Sequence, residues 1–206
     1  EANEAFGAEL KKGKKADAQR GYEIACKEWM DVRSFGQVFA FKGSDLSLGI
    51  RGPVSVQPAF SVDPIDITSM QITKSVNSED KEGKSSDTMG MKHRVDFGVY
   101  ILKGSINVQL SEKTGFTEED AEKIKEAIRT LFVNDSSSAR PDGSMVMHKL
   151  YWWKHNCKIG QYSSHKVHNS IEIKKKEGVR NPRKIEDYEI ICHELPGLAV
   201  EEYEGI

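Results

Sequence analysis

Long apolar runs are missing from this sequence: no stretch of its 206 residues approaches the roughly 18 to 20 consecutive apolar residues that a membrane-spanning helix needs. The amino terminus is charged and carries no signal-peptide core, so the expectation is a soluble cytoplasmic protein with no membrane partner. Cysteine is scarce as well. Cys26, Cys157 and Cys192 are odd in number, widely separated and free of any C-x-x-C pair, which argues against a disulfide framework and a thiolate zinc site and fits a reducing compartment. There is no H-E-x-x-H pair of metal ligands, no G-x-S-x-G nucleophile elbow and no phosphate-binding loop ending in Lys-Ser or Lys-Thr. Neither a metal nor a cofactor is expected.

Net charge is also nearly absent, at −2, which taken alone argues against a nucleic-acid partner. The average conceals a segregation. Residues 140–184 carry eleven Lys and Arg against three Asp and Glu, a local excess of +8, so the rest of the chain carries −10. Much of that acid lies in residues 186–204, including an acidic tail over 194–206. A basic face on a neutral molecule is therefore available to a polyanion, although a run of solvated surface charge has the same signature.

The length fits one domain. A Lys-rich arm, residues 1–15, precedes a segment whose Tyr22, Ala25, Cys26 and Trp29 recur at helical spacing. Residues 37–41 and 65–76 read as strands, and residues 77–87 hold no apolar side chain and read as a hairpin tip. Residues 95–110 read as two strands or one bent strand, broken at Gly104. The clearest local signal follows: Thr117 with Asp120 forms a capping box, and Ala121, Ile124, Ile128, Leu131 and Phe132 share one face, predicting a helix over 118–133. A turn-rich loop over 134–143 and strands over 145–154, 169–174 and 187–193 complete the chain. Strands outnumber helices without a regular βαβ alternation, so the fold class is α+β.

Several short motifs bear chemistry. In DVRSFGQ, Arg33 has the fork that binds phosphate, and Phe35 either stacks on a base or packs in the core. Arg51 lies between two glycines in GIRGP, where backbone and guanidinium can approach an anion closely. In TMGMKHR, Met89 and Met91 are adaptable wedges beside Lys92 and His93, although burial of Met91 at the start of a strand is equally consistent. Trp152 and Trp153 are neighbours on a strand and must point to opposite faces, one toward the core and one toward a second surface. His165 and His168 stand three apart, but Ser163, Ser164, Asn169 and Ser170 around them do not favour a helix, and no carboxylate ligand is nearby in sequence. Lys154, His155, His165 and Lys166 offer the groups for metal-independent RNA cleavage, with His as general acid or base and Lys stabilising the phosphorane.

Taken in order, DVRSFGQV, GIRGPV, the strand ending ITSM, TMGMKHRVDFGVY, LSEKTGFTEEDAE, LFVNDSSSAR and SSHKVHNSIEI resemble the type I-C (Csd-two) subtype of the Cas seven superfamily of CRISPR proteins. The resemblance runs from about Trp29 to about Lys175 and implies a modified RRM (ferredoxin-like) fold with a β-hairpin thumb, here residues 72–92. It implies a non-catalytic subunit that polymerises as a helical filament along CRISPR RNA, leaving the guide free to pair with target DNA and contacting other Cascade subunits. Transferred by position, the RNA-binding set is Arg33, Ser34, Phe35, Arg51, Met89, Met91, Lys92, His93, Arg140, Lys149, His165 and Lys166. The alternative is a metal-independent CRISPR repeat endoribonuclease. The family pattern begins with a first strand and a segment rich in Gly, Asn, Pro and Asp that this sequence lacks, so an amino-terminally incomplete domain is expected.

Overall fold

The capping box read at Thr117 opens a helix as expected. In the computed structural model, which describes residue 4 and residues 15–40, 47–73 and 89–206, the Thr117 hydroxyl accepts from the Asp120 N–H at 3.2 Å and the Asp120 carboxylate accepts from the Thr117 N–H at 3.0 Å. The architecture is α+β, built from short helices and two-stranded antiparallel sheets, and is consistent with an RRM-like fold. Two compact units form, one from residues 1–57, 104–170 and 194–206, the other from 58–103 and 171–193.

In the first unit, helix α1 (Lys15–Glu28) and helix α2 (Met30–Phe35) pack on a hairpin of β1 (Gly36–Ala40) and β2 (Ser47–Arg51). Strict alternation in β2 sends Leu48 and Ile50 inward, where they join Ala25, Cys26 and Val32 in a buried cluster edged by Tyr22, Ile24, Trp29 and Phe39. Each such aliphatic side chain taken out of water stabilises the fold by about 1.5–3 kcal/mol. Strand β3 (Val54–Val56) pairs with β8 (Gly104–Ile106). Helix α3 (Val108–Thr114) and helix α4 (Glu118–Arg129) follow, then β9 (Lys149–Trp153), helix α5 (Ser164–His168) and β12 (Val200–Glu204), which pairs with β9. A second cluster of Val167, Leu195 and Leu198 is flanked by Trp153 and Tyr162.

The second unit contains β4 (Phe60–Ser61) paired with β7 (Tyr100–Ile101), the long hairpin of β5 (Ile67–Thr73) and β6 (Met89–Val95), and β10 (Ile171–Lys175) paired with β11 (Tyr188–Cys192). Its rings Phe97 and Tyr188 lie 6.5 Å apart, and the Tyr188 hydroxyl donates to Asp63 at 2.9 Å.

Three readings need correction. Residues 108–110 are helical rather than extended, because the Asn107 side chain accepts from the Leu110 N–H and Gly115 closes α3 in the left-handed region at φ 75°; a cap at each end outweighs the period-two pattern. Residues 164–168 form a helix despite their polar neighbours, since the Ser163 hydroxyl caps it. The acidic segment 194–206 contains strand β12, with Glu201, Glu202 and Glu204 set opposite Trp152, Tyr151 and Lys149. The tip expected over 77–87 lies outside the described residues, as does the arm over 1–15 apart from residues 4 and 15.

Where DVRSFG meets GIRGP, two glycines face each other. Gly36 ends α2 at φ 85°, its N–H donating to the Val32 carbonyl, and a Cβ there would stand 2.2 Å from the Ile50 carbonyl oxygen. A Cβ on Gly52 would stand 2.2 Å from the Ser34 carbonyl oxygen. Backbone blocks both positions. Gly52→Ala is therefore expected to cost at least about 3 kcal/mol in urea unfolding, whereas Gly115→Ala, left-handed but open on all sides, costs only about 1 kcal/mol.

Candidate nucleic-acid interface

The sequence-predicted residues fall at several places in the two units. Arg33 and Ser34, on α2, face inward. The Arg33 guanidinium donates to both Asp120 oxygens, at 2.7 and 2.8 Å, and reaches the carbonyls of Cys26 and Lys27. The Ser34 hydroxyl, 0% exposed, donates to the Met30 carbonyl at 2.6 Å. Phe35 is 50% exposed. Arg51, opposite Gly36 at the end of β2, is exposed and pairs with no described residue. The crossing of Gly36 and Gly52 thus brings the two motifs together and leaves Phe35 and Arg51 open to solvent.

Four more residues share β6. Directly opposed residues of an antiparallel pair project from the same face, so Ile67 with Val95, Ser69 with His93, Gln71 with Met91 and Thr73 with Met89 form one face of the β5–β6 ribbon. Thr68 with Arg94, Met70 with Lys92 and Ile72 with Gly90 form the other. Met89 and Met91 are 63% and 57% exposed, and Ile67, Met70, Ile72 and Val95 are exposed too. Both faces of this ribbon therefore show apolar side chains to solvent, which a two-stranded hairpin seldom does without a partner. His93 is held by the Ser69 hydroxyl at 2.8 Å, and Arg94 and Thr68 both donate to Asp96, so the root is fastened. These bonds hold the Asp96 carboxyl below its ordinary pKa.

The remaining candidates are engaged internally. Arg140 forms a two-point pair with Asp135 at 3.1 Å. Lys149 binds Glu202 and Glu204, which raise its pKa. His165 is bonded to Asn169 at 2.9 Å, and the Lys166 ammonium lies 4.6 Å from the centre of the Tyr162 ring. The four groups available for RNA cleavage are likewise occupied: the Lys154 ammonium donates to Glu118 at 2.7 Å, and the His155 Nδ1 accepts from the Gln161 N–H at 3.0 Å. No cluster of His, Cys, Asp and Glu fit to hold a metal occurs among the described residues. No described helix is long and apolar enough to cross a membrane.

The family model for the CRISPR-associated protein Cas7 matches residues 1–193. The chain belongs to the Cas7 family. Membership implies a CRISPR-associated backbone subunit of a Cascade-like complex. Among curated proteins no sequence matches the chain significantly.

Two features of this Cas7-family chain escape the sequence reading. The first is Asp120, read as a cap alone, which also anchors Arg33. The second is Lys125 on α4, 6% exposed, which lies 5.2 Å from the Trp152 ring centre and 5.3 Å from that of Tyr203 while donating to Glu122 and Glu201. Burial works against its charge, yet the two carboxylates outweigh it and raise the pKa. Trp152 thus points at Lys125 while Trp153 joins the Val167 cluster, the division between faces that adjacency on a strand requires. Only the i, i+4 spacing of Ala121 and Lys125 hinted that this lysine sits on the buried side of α4.

Arg33, more than any other cause, holds the Asp120 carboxyl down, to about 2 from its ordinary 3.8. A depressed acid stabilises the fold above its unfolded pKa and loses that contribution as pH falls through the folded one. Over the window from pH 4 to pH 2 this group should remove about 2 kcal/mol of stability. Urea midpoints measured at pH 4.5, 3.5 and 2.5 are expected to fall less steeply in Asp120→Asn than in the parent; parallel slopes would remove the pair from the acid response.

Proposed function

We propose that this chain is a non-catalytic backbone subunit of a type I-C CRISPR surveillance complex, coating guide RNA as copies of itself stack along the strand. The observation that carries the reading is the β5–β6 hairpin, apolar on both faces and edged by Lys92, His93 and Arg94. A coat indifferent to spacer sequence must hold phosphates and base faces and leave base edges free for the target DNA. Methionines hold base faces by entering between unstacked bases, and scattered cations hold phosphate without reading sequence. Met89 and Met91 are the wedges. His93 shares their face, Lys92 lies on the other face of the ribbon, and Phe35 and Arg51 form a second contact at the glycine crossing. Arg33 and Ser34 serve that contact from behind by fixing α2. Arg140, Lys149, His165 and Lys166 reach RNA only by leaving the partners they hold now.

The test is fluorescence anisotropy with two labelled RNAs of unrelated sequence. Both should bind with similar affinity, weakening steeply as salt rises. Replacing Met89 and Met91 together by Ser should cost at least about tenfold, since a base stacked on a side chain is worth about 1–3 kcal/mol. Arg51→Ala should weaken binding to both RNAs alike. Shortening of either RNA, abolished by His155→Ala or His165→Ala, would instead establish the repeat endoribonuclease.

A further inference from the structure

We infer that the cleft at the root of the β5–β6 hairpin is an anion site that takes a backbone phosphate of a single-stranded nucleic acid, with Arg180 as its charged ligand. The inference rests on the coating reading and extends it to a loop outside both contacts described above. The cleft lies wholly within the second unit and holds about 260 Å³. That is room for a phosphate and its sugar, below the usual range of about 300–1,000 Å³ for drug-sized ligands.

Three cations and two carboxylates line it. Both carboxylates are already neutralised. Asp63 accepts from the Tyr188 hydroxyl at 2.9 Å and pairs with Lys175 at 3.1 Å, and Asp66 pairs with Arg183 at 3.2 Å. Burial, and then Asp63, push the Tyr188 phenol up to about 12, so it keeps its proton and remains a donor to Asp63. Arg180 is left over: it is exposed at the cleft, and no described residue pairs with it. A planar guanidinium with no carboxylate partner, in a cleft also lined by Phe97 and Tyr188, suits a phosphate oxygen pair.

The loop that carries Arg180 is pinned before any ligand arrives. The Lys176 N–H donates to the Asp187 carbonyl at 2.9 Å, and the Val179 N–H to the Lys176 carbonyl at 3.1 Å. The Asp187 carboxylate accepts from the N–H groups of Arg183 and Lys184, at 2.7 and 3.2 Å. Gly178, at φ 83°, supplies the left-handed turn between them. A loop already ordered loses little freedom on binding. Chain continuity supplies the choice of ligand: Asp66 immediately precedes β5 and Phe97 lies two residues after β6, so the cleft forms the base of the same hairpin that carries Met89 and Met91 farther along it.

The experiment is anisotropy with the full chain and labelled single-stranded RNA and DNA of one sequence across a salt series. Arg180→Ala is expected to weaken binding about three- to tenfold near 0.1 M salt and to lower the slope of log affinity against log salt by about 0.7, one phosphate contact on a single strand. Lys113→Ala, an exposed cation at the end of α3, should leave the slope in place, and thermal melting should show both variants folded. Loss on RNA assigns the site to the guide; loss on DNA alone assigns it to the target strand. Unchanged binding and slope in Arg180→Ala, or an equal drop in Lys113→Ala, overturns the cleft while the coating reading stands. Unchanged nucleic-acid binding with weakened self-association overturns it in favour of a carboxylate from a second copy. A parent protein that binds neither strand sinks the coating reading and the cleft with it.

Discussion

The two-point ion pair between Arg33 and Asp120 is the joint on which the first unit depends. One guanidinium reaches the carbonyls of Cys26 and Lys27 at the end of α1, belongs itself to α2, and closes on the carboxylate that caps α4. Three helix termini therefore share one charge pair, its carboxylate buried and its guanidinium half-buried. A pair of this kind adds little over an apolar substitute, because removing both charges from water is costly, but breaking it from one side leaves an uncompensated charge. Its value is geometric. It fixes the end of α2, hence the direction in which Gly36 leaves the helix, and hence the register that sets Gly36 opposite Arg51. The open cation at the glycine crossing is placed by a closed one behind it.

The second unit follows a different principle. Its long hairpin has no described layer against either face, so the apolar side chains of β5 and β6 stabilise little until something covers them. The fastening is concentrated at the root, where Asp96 gathers Thr68 and Arg94, Asp66 meets Arg183, and Asp63 meets Tyr188 and Lys175. A fastened base under an uncovered ribbon fits the insertion between bases proposed above, since Met89 and Met91 stay exposed rather than buried in their own protein.

Much of this was legible in the sequence. The capping box and the opposite faces of Trp152 and Trp153 came from local rules, which suffice where one element's pattern decides its state; β2 did not, because Gly49 within it and Gly52 after it mask the alternation of Leu48 and Ile50. Local rules also failed where two patterns competed. Ile106, Val108 and Leu110 alternate like a strand, yet Asn107 and Gly115 cap a helix across them. The site residues were harder still. An arginine beside a serine and a phenylalanine reads the same whether it binds phosphate or a carboxylate 87 positions away, because the partner is chosen by the fold. Strand β12 was hidden for a similar reason: its glutamates read as a solvated tail until Lys125 and Lys149 are brought opposite them.

That pairing alters how the charge of the chain should be counted. The basic excess over residues 140–184 suggested a polyanion surface, but Arg140, Lys149, Lys154 and Lys158 within it already face Asp135, Glu202, Glu118 and Glu112. A cation that must break an ion pair to reach phosphate gains only the difference between two similar attractions, and releases few counterions in doing so. On the coating proposal, the cations that matter most are those left without a described partner, such as Arg51, Lys92 and Arg180. These are dispersed over β2, β6 and the β10–β11 loop rather than gathered in one run. Dispersal suits a coat. Contacts spaced along a backbone hold it in register without concentrating positive charge, so a net charge of −2 is no obstacle to the coating proposed above.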